Sequence, residues 1–501
     1  MKTLSDHRTL PRLHIAILLL FAGLLLLQMI NTLEWRLEHD NAVLQYTAFM
    51  IDRLDMVPYR DFFEANMPGT FAFHTILARI TAYNYLAYRL VDLGLLLVLL
   101  TATYLFMSRF GRWTALWAAL LFGLLYLRRG QGFVLQRDYI GLIPIALALL
   151  AVPSTVERPI RLWRFALIGL LFGISATIKP QLAIAYPVLF GTLFALRRHA
   201  QEKSVADFLK CALLSGAMFV LPTLIALIWL GANLALDPFL ELVFTYLPLY
   251  NQLTGEHESV SAAQRLYYLA YSTFSKNRYW VFIAAAVVAY TRAAKYRGQD
   301  KAIDLSLACL ALCTVLYAIY PTIAGKFWQY HFMPFAYFCT LSAALLLYKW
   351  PAQPTTAARN RLPAWLPLAI LLIAALIQLK LPQYVLSTAD QLQSGPAAHA
   401  PKGGRVDEMA GWLENHLQPG DTVQALDWTG GTLQAMLLTG AKPAGRFIQD
   451  FHFYHHISTP LIQGYRESFI DELRDATPRF MVAVYTRIPW VSGIDTTRAF
   501  P

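Results

Sequence analysis

Eleven apolar runs recur between Leu13 and Leu379, and no water-solvated fold of this length buries them all. They fall at Leu13 to Ile30, Tyr85 to Met107, Trp113 to Leu127, Tyr139 to Val152, Phe165 to Ile178, Leu182 to Leu196, Phe208 to Leu230, Trp280 to Tyr290, Leu305 to Tyr320, Pro334 to Leu347 and Leu366 to Leu379. In a bilayer every backbone N–H and C=O must find its partner within the protein, so such runs fold as helices. A perpendicular span takes ~20 residues. Several runs are shorter, which points to helices that are broken, buried in protein or longer than the run itself. Composition agrees: 57% of residues are hydrophobic, 15% are charged and the mean hydropathy is +0.43, where a soluble domain is about 25% charged. The expected fold is an α-helical polytopic membrane protein of about 11 transmembrane helices.

Charge fixes the expected orientation. The basic residues gather in alternate connections: Arg109 and Arg112; Arg158, Arg161 and Arg164; Arg197, Arg198, Lys203 and Lys210; Arg292, Lys295, Arg297 and Lys301; Lys349, Arg359 and Arg361. With Lys2, Arg8 and Arg12 they share one side, which the positive-inside rule makes cytoplasmic. The net charge of +11 is thereby explained by topology, without nucleic acid. No small-residue cleavage site follows the first run, so it reads as a retained anchor. The localisation implied is a bacterial inner membrane, with a cytoplasmic N-terminus. The four cysteines (Cys211, Cys309, Cys313, Cys339) lie in apolar runs and read as small core residues.

After Leu381 the long apolar runs stop. Residues 1–381 read as the membrane domain with its external loops, 382–403 as a linker, and 404–501 as a small α/β domain on the external, periplasmic face. In "GGRVDEMAGWLENHLQPGDTVQALD" a helix precedes a Pro419-Gly420 turn and a strand. "RESFIDELRDATPRFMVAVY" repeats that order, with a strand at Phe480 to Tyr485.

Four external segments together carry both signs of charge, and the last three lie at the mouths of apolar runs. The first, "EHDNAVLQYTAFMIDRLDMVPYRDFFEANMPG", holds Asp40, Arg60, Asp61 and Glu64; its Asp52 and Asp55 read as ordinary solvated acids. The second, "RRGQGFVLQRDYIGLIP", holds Arg128, Arg129, Arg137 and Asp138. The third is Lys179-Pro180, and "GKFWQYHFMP" brings Lys326, Tyr330 and His331. Charges near membrane depth are costly and mark function, although single residues have plainer readings: an Arg137–Asp138 pair, a snorkelling Lys326, an interfacial His331. Taken together they suit group transfer. Arg, Lys and His groups bind phosphate, here Arg60, Arg137, Lys179, Lys326, Tyr330 and His331. A carboxylate takes the proton of an attacking hydroxyl.

These segments resemble the GT-C membrane glycosyltransferases, in particular the bacterial branch similar to protein O-mannosyltransferases and the lipid A aminoarabinose transferase. The residues that carry the likeness are "HDN" (His39 to Asn41), "VPYRDFFE" (Val57 to Glu64), Met67-Pro68-Gly69, "QRDYIGLIP", "IKPQLAIAYP" and "GKFWQYHFMP", in that order. The resemblance implies transfer of a sugar from a polyprenyl-phosphate donor to a hydroxyl of a lipid, glycan or protein at the periplasmic face, with inversion. It implies Asp40 as the catalytic acid of the first loop, Asp138 as a second acid beside the donor phosphate, and Lys179, Lys326 and His331 on that phosphate. The family often has an Asp-Glu pair in the first loop. Here Asn41 follows Asp40, which makes Asp61 and Glu64 substitute bases. A divalent ion between Asp40 and Asp138 is allowed by the sequence but not required by it.

Two other classes compete. A flippase or transporter of lipid-linked sugars would also have many spans, but it would place polar sites at mid-membrane within repeated halves, and no repeat is visible. A membrane-anchored soluble enzyme would work through "DFHFYHH", with Asp450, His452, His455 and His456; that spacing fits no strong zinc motif and reads as a surface histidine cluster.

Overall fold

The computed structural model describes residues 9–155, 160–200, 204–253, 261–295, 297–323, 325–349, 363, 365–394, 405–484, 491 and 493–500. The basic residues Lys2, Arg8, Arg158, Lys203, Arg359 and Arg361 lie outside that set, as do residues 395–403 of the linker and Tyr485.

Every one of the apolar runs lies on a helix, but the helices differ in length. Five are long and apolar enough to cross a membrane: Arg12–Asn31, Tyr85–Phe110, Val205–Ala232, Lys301–Ile323 and Gln329–Leu347. A sixth arises if Leu366–Leu379 and Leu381–Gln393, bent by 55°, form one span. Arg112–Arg128, Arg137–Leu149, Trp163–Ile178, Tyr186–Ala200 and Trp280–Ala294 are shorter. Length therefore supports five or six spans where the sequence suggested eleven. The difference lies in helices too short to cross alone. The run from Leu182 is an example. Pro180 opens a 3₁₀ turn over Pro180–Ala185, and the α-helix begins only at Tyr186. The expected linker also differs, since Leu381–Ser394 is helical.

Glycine sets the closest helix contact. A Cβ on Gly169 would lie 2.0 Å from the Ser215 carbonyl oxygen, and one on Gly173 would lie 2.3 Å from that of Phe219. These two glycines, four apart on Trp163–Ile178, let its backbone press onto Val205–Ala232, as small residues do where lipid offers no hydrophobic drive. All four cysteines are buried. A buried Arg89–Asp92 pair ties the bundle to its loops: Arg89 donates to Thr32, and Asp92 accepts from Tyr126 and the Leu135 amide.

The C-terminal residues form a three-stranded parallel sheet, β1 (Thr422–Leu426), β2 (Lys442–Pro443) and β3 (Phe480–Ala483), in the order β2-β1-β3. Helices Arg405–His416, Gly431–Thr439 and Pro460–Ala476 accompany it. This unit does not keep a core to itself. One apolar cluster joins Val423, Leu433, Phe447 and Phe469 to Tyr46, Phe62, Phe63 and Phe71 of the segment between the first two apolar runs, and to Phe239 and Tyr246. The segment "YRDFF" is part of that seam: the Phe63 amide donates to the Arg446 carbonyl (2.7 Å) and its ring meets Phe447, Tyr246, His452 and Tyr465.

The histidines of "DFHFYHH" lie in the same seam. His452, His455 and His456 are buried rather than on the surface. His452 meets the Tyr246 hydroxyl, and His456 Nε2 donates to the Leu249 carbonyl at 3.0 Å. Their amphipathic rings close the joint between the C-terminal unit and Leu242–Tyr250, and burial pushes the His452 ring down to about 3, which keeps it neutral there.

Candidate active site

Two carboxylates occupy the first turns of helices, where unpaired N–H groups favour negative charge. Asp40 opens Asp40–Arg53, and Asp138 is the second residue of Arg137–Leu149. The intervening Arg137 links them in sequence and in space. Its guanidinium donates to Asp40 Oδ2 (2.7 Å) and to Asn66 Oδ1 (2.5 Å). The other Asp40 oxygen accepts from His39 Nδ1 at 2.6 Å. Burial alone would raise the Asp40 carboxyl, but His39 and Arg137 outweigh it and hold it well below the usual carboxylate range. Burial opposes charge on His39, yet Asp40 lifts the imidazole above its ordinary value.

Asp138 is fully buried and pairs with Lys179 Nζ at 2.8 and 3.0 Å. The Tyr320 hydroxyl completes its shell at 2.5 Å. The position of Lys179 follows from Pro180. The residue before proline is driven out of the α region, and Lys179 is extended at φ −157°, ending Trp163–Ile178. An ammonium at that helix terminus faces carbonyl oxygens and is favoured by the dipole.

Glu64 and Asn66 complete the constellation from the first segment. Asn66 Nδ2 donates to Glu64 Oε1 (2.9 Å), so Glu64, Asn66, Arg137, Asp40 and His39 form one hydrogen-bonded chain. Glu64 Oε2 is buried with no partner among the described residues. Burial pushes the Glu64 carboxyl up to about 7, against the pull of Arg137.

The remaining expected residues divide. Tyr330 is present, its ring 6.0 Å from the Arg137 guanidinium carbon. His331 is buried, donates from Nδ1 to the Lys326 carbonyl (3.1 Å) and stands within electrostatic reach of Asp138 and Lys179. Lys326 turns elsewhere: its ammonium donates to the Tyr250 and Leu253 carbonyls and sits 3.9 Å from the Tyr250 ring centre. Arg60 and Asp61 stand apart from this chain. Arg60 holds both Asp61 oxygens at 2.7 Å on an exposed surface, and Asp61 also closes a turn by accepting from the Val57 amide. Neither Asp61 nor Arg60 has a contact with the Glu64–Asp40 chain among the described hydrogen bonds. Arg128 and Arg129 bond to the Gln378 carbonyl, Asn277 and Tyr279, which makes them braces between segments.

Asn41 also has a structural reason. Its amide donates to the Gln131 carbonyl at 3.0 Å, clasping the second segment; a carboxylate there would face an acceptor. Sequence reasoning missed His39, Asn66 and Tyr320. Only His39 carried a signal, as the neighbour of Asp40.

The donor set does not fit a divalent ion. Asp40 is neutralised by Arg137 and His39, and Asp138 by Lys179, so each carboxylate already faces a cation or donor that would repel a metal. No group of three or more His, Cys, Asp or Glu suited to a metal occurs among the described residues. The chemistry available is therefore that of an ionised carboxylate beside fixed cations.

No protein-family model and no curated protein matches the sequence. Solved structures do match in fold. A crystal structure of ArnT from Cupriavidus metallidurans bound to undecaprenyl phosphate aligns with TM-score 0.53 and 11% identity, over 96% of this chain and 97% of that one. The Archaeoglobus fulgidus oligosaccharyltransferase tethered to an acceptor peptide aligns with TM-score 0.50 and 12% identity, over 91% and 68%. Its apo form aligns with TM-score 0.50 and 14% identity, over 93% and 69%. The fold of this chain is that of the GT-C membrane glycosyltransferases.

Proposed function

We propose that this protein transfers a sugar from a polyprenyl-phosphate donor to a hydroxyl acceptor at the external, periplasmic face of a bacterial inner membrane. The observation that carries the reading is the gathering of acids and bases from distant segments: Glu64, Arg137 and Asp40 on one hydrogen-bonded chain, and Asp138, the sequence neighbour of Arg137, paired with Lys179. The fold shared with ArnT, a structure bound to undecaprenyl phosphate, supports a lipid-phosphate donor.

In this mechanism the acceptor oxygen attacks the anomeric carbon as its bond to the donor phosphate oxygen breaks. The acceptor proton passes to a carboxylate, and polyprenyl phosphate departs with the bonding electrons. A single displacement inverts the anomeric centre. Arg137 and Lys179 supply the positive field that stabilises the leaving phosphate, and Tyr330 and the buried His331 wall the site. Asp40 is the base: it is ionised throughout the working range and lies beside the half-exposed His39. The base need not be strong, because the hydroxyl becomes acidic as the new bond forms.

A specific observation favours a second base. Glu64 has an unpartnered buried oxygen and a carboxyl that titrates near neutrality, the match that general-base catalysis rewards. Transfer rates across pH for Asp40→Asn and Glu64→Gln separate the two. With Asp40 as base, Asp40→Asn falls by ~10²–10⁴-fold and Glu64→Gln keeps most activity. The reverse pattern, with loss of a limb near pH 7, moves the base to Glu64. Full activity in both removes the carboxylate mechanism.

A further inference from the structure

The C-terminal unit meets His39 of the site at the turn Asp427 to Gly431. Its geometry is tightly determined. Asp427 accepts from the Thr429 amide (2.7 Å), the Thr429 hydroxyl (2.6 Å) and the Thr432 amide (2.8 Å), so one side chain fixes the whole turn. Gly430 is left-handed at φ +83°, and a Cβ there would lie 2.7 Å from the His39 carbonyl oxygen. Only glycine permits that approach. The turn is pressed onto the residue that hydrogen-bonds Asp40.

What the turn presents is Trp428. Its ring meets His39 edge-on with centroids 5.6 Å apart. It also packs against the cluster of Leu253 and Phe451, which Tyr250 and Trp328 border as well. Its indole Nε1–H is buried, yet among the described residues no acceptor meets it. A buried tryptophan N–H ordinarily finds a partner, and an unsatisfied one costs free energy. A rigid turn that holds an unsatisfied donor and an aromatic face beside the Asp40–His39 pair is arranged for something that binds there.

Resting on the donor reading above, we propose that Trp428 contacts the donor sugar: its indole covers the C–H face of the sugar ring, and its N–H donates to a sugar hydroxyl. Trp428 thus touches both His39, the partner of Asp40, and the Leu253–Phe451 cluster. The sugar is the part of the donor that lies between the phosphate and the acceptor hydroxyl, and it carries both an apolar C–H face and acceptors for an N–H. The C-terminal unit is then a wall of the sugar site and sets which sugar is accepted.

The test is binding to the full-length protein in lipid nanodiscs, with bare undecaprenyl phosphate and a panel of undecaprenyl-phosphate-linked hexoses and pentoses. Wild type is expected to bind at least one sugar-bearing lipid more tightly than the bare one. Trp428→Phe, which keeps a ring but not the N–H, lowers that increment by about 3- to 10-fold. Trp428→Ala lowers it further, and bare-lipid affinity stays constant in both variants, which also certifies their folding. Equal weakening of bare and sugar-bearing lipids, or no change in either, overturns the proposal. Wild-type protein that binds bare and sugar-bearing lipids equally overturns it while the donor reading stands. Wild-type protein that binds neither lipid overturns the donor reading, and the proposal with it.

Discussion

The Asp138–Lys179 pair yields a prediction whose size follows from its burial. Asp138 is 0% and Lys179 14% exposed at the side chain, and both Asp138 oxygens lie within 3.0 Å of the ammonium. Removing one charge strands the other. Asp138→Asn leaves Lys179 with no compensating carboxylate on that oxygen pair, a loss of ~3–5 kcal/mol. Lys179→Met strands the carboxylate, which Tyr320 alone solvates, for a similar cost. The double variant strands nothing, so it costs about as much as either single change. The coupling energy is then ~3–5 kcal/mol, at or beyond the upper end for contacting residues. The assay is reversible unfolding in mixed micelles, followed by tryptophan fluorescence, for the four proteins of the cycle. Additivity within ~0.5 kcal/mol would refute the reasoning, because it means the two charges do not see one another.

Three further predictions rest on other features. Gly169→Val drives a side chain into the Ser215 carbonyl and separates two helices, lowering the unfolding midpoint by an amount equivalent to ~1–3 kcal/mol or more. Glu64 gives a pH signature. Its carboxyl rises from 4.5 to about 7 on folding, so the folded state holds the proton that the unfolded state loses. Stability is full below pH ~4.5 and declines towards pH ~7, by roughly 3 kcal/mol at most. Glu64→Gln abolishes that decline in a pH series of unfolding curves, and an unchanged slope would show that Glu64 is not the titrating group. Asp61→Asn breaks only an exposed pair and a turn contact; its stability changes by ~1 kcal/mol or less and its transfer rate by less than about twofold, as kinetics in nanodiscs would report.

The membrane character of the chain was legible because hydropathy is a local property, and the apolar runs all became helices. Span number was less legible, since a run of apolar residues does not reveal where Pro180 will interrupt it or how neighbours will bury a short helix. The site divided in the same way. Arg137, Asp138 and Lys179 stood at run boundaries and Asp40 inside the first loop, and the structure pairs Arg137 with Asp40 and Lys179 with Asp138. Arg60, Asp61 and Lys326 were charged in the same way but are engaged by a neighbouring acid, a turn amide and two carbonyls. Such local partners are set by backbone geometry that residue type does not disclose. Trp428 was invisible for another reason: it comes from a unit hundreds of positions away, and only the packing of Gly430 on His39 brings it to the site. The histidines of "DFHFYHH" misled because a polar cluster suggests surface, whereas here it fills the seam between two parts of the chain.

The central claim is that this site breaks the bond between a sugar and a polyprenyl phosphate. Purified protein reconstituted in liposomes with radiolabelled polyprenyl-phosphate sugars, acceptor lipids and glycans tests it directly. The account predicts that label leaves the polyprenyl carrier, that bare polyprenyl phosphate accumulates in step, and that Asp40→Asn together with Glu64→Gln stops both. Label that crosses the bilayer still attached to its carrier, with no bare polyprenyl phosphate formed, would contradict the account and identify a transporter.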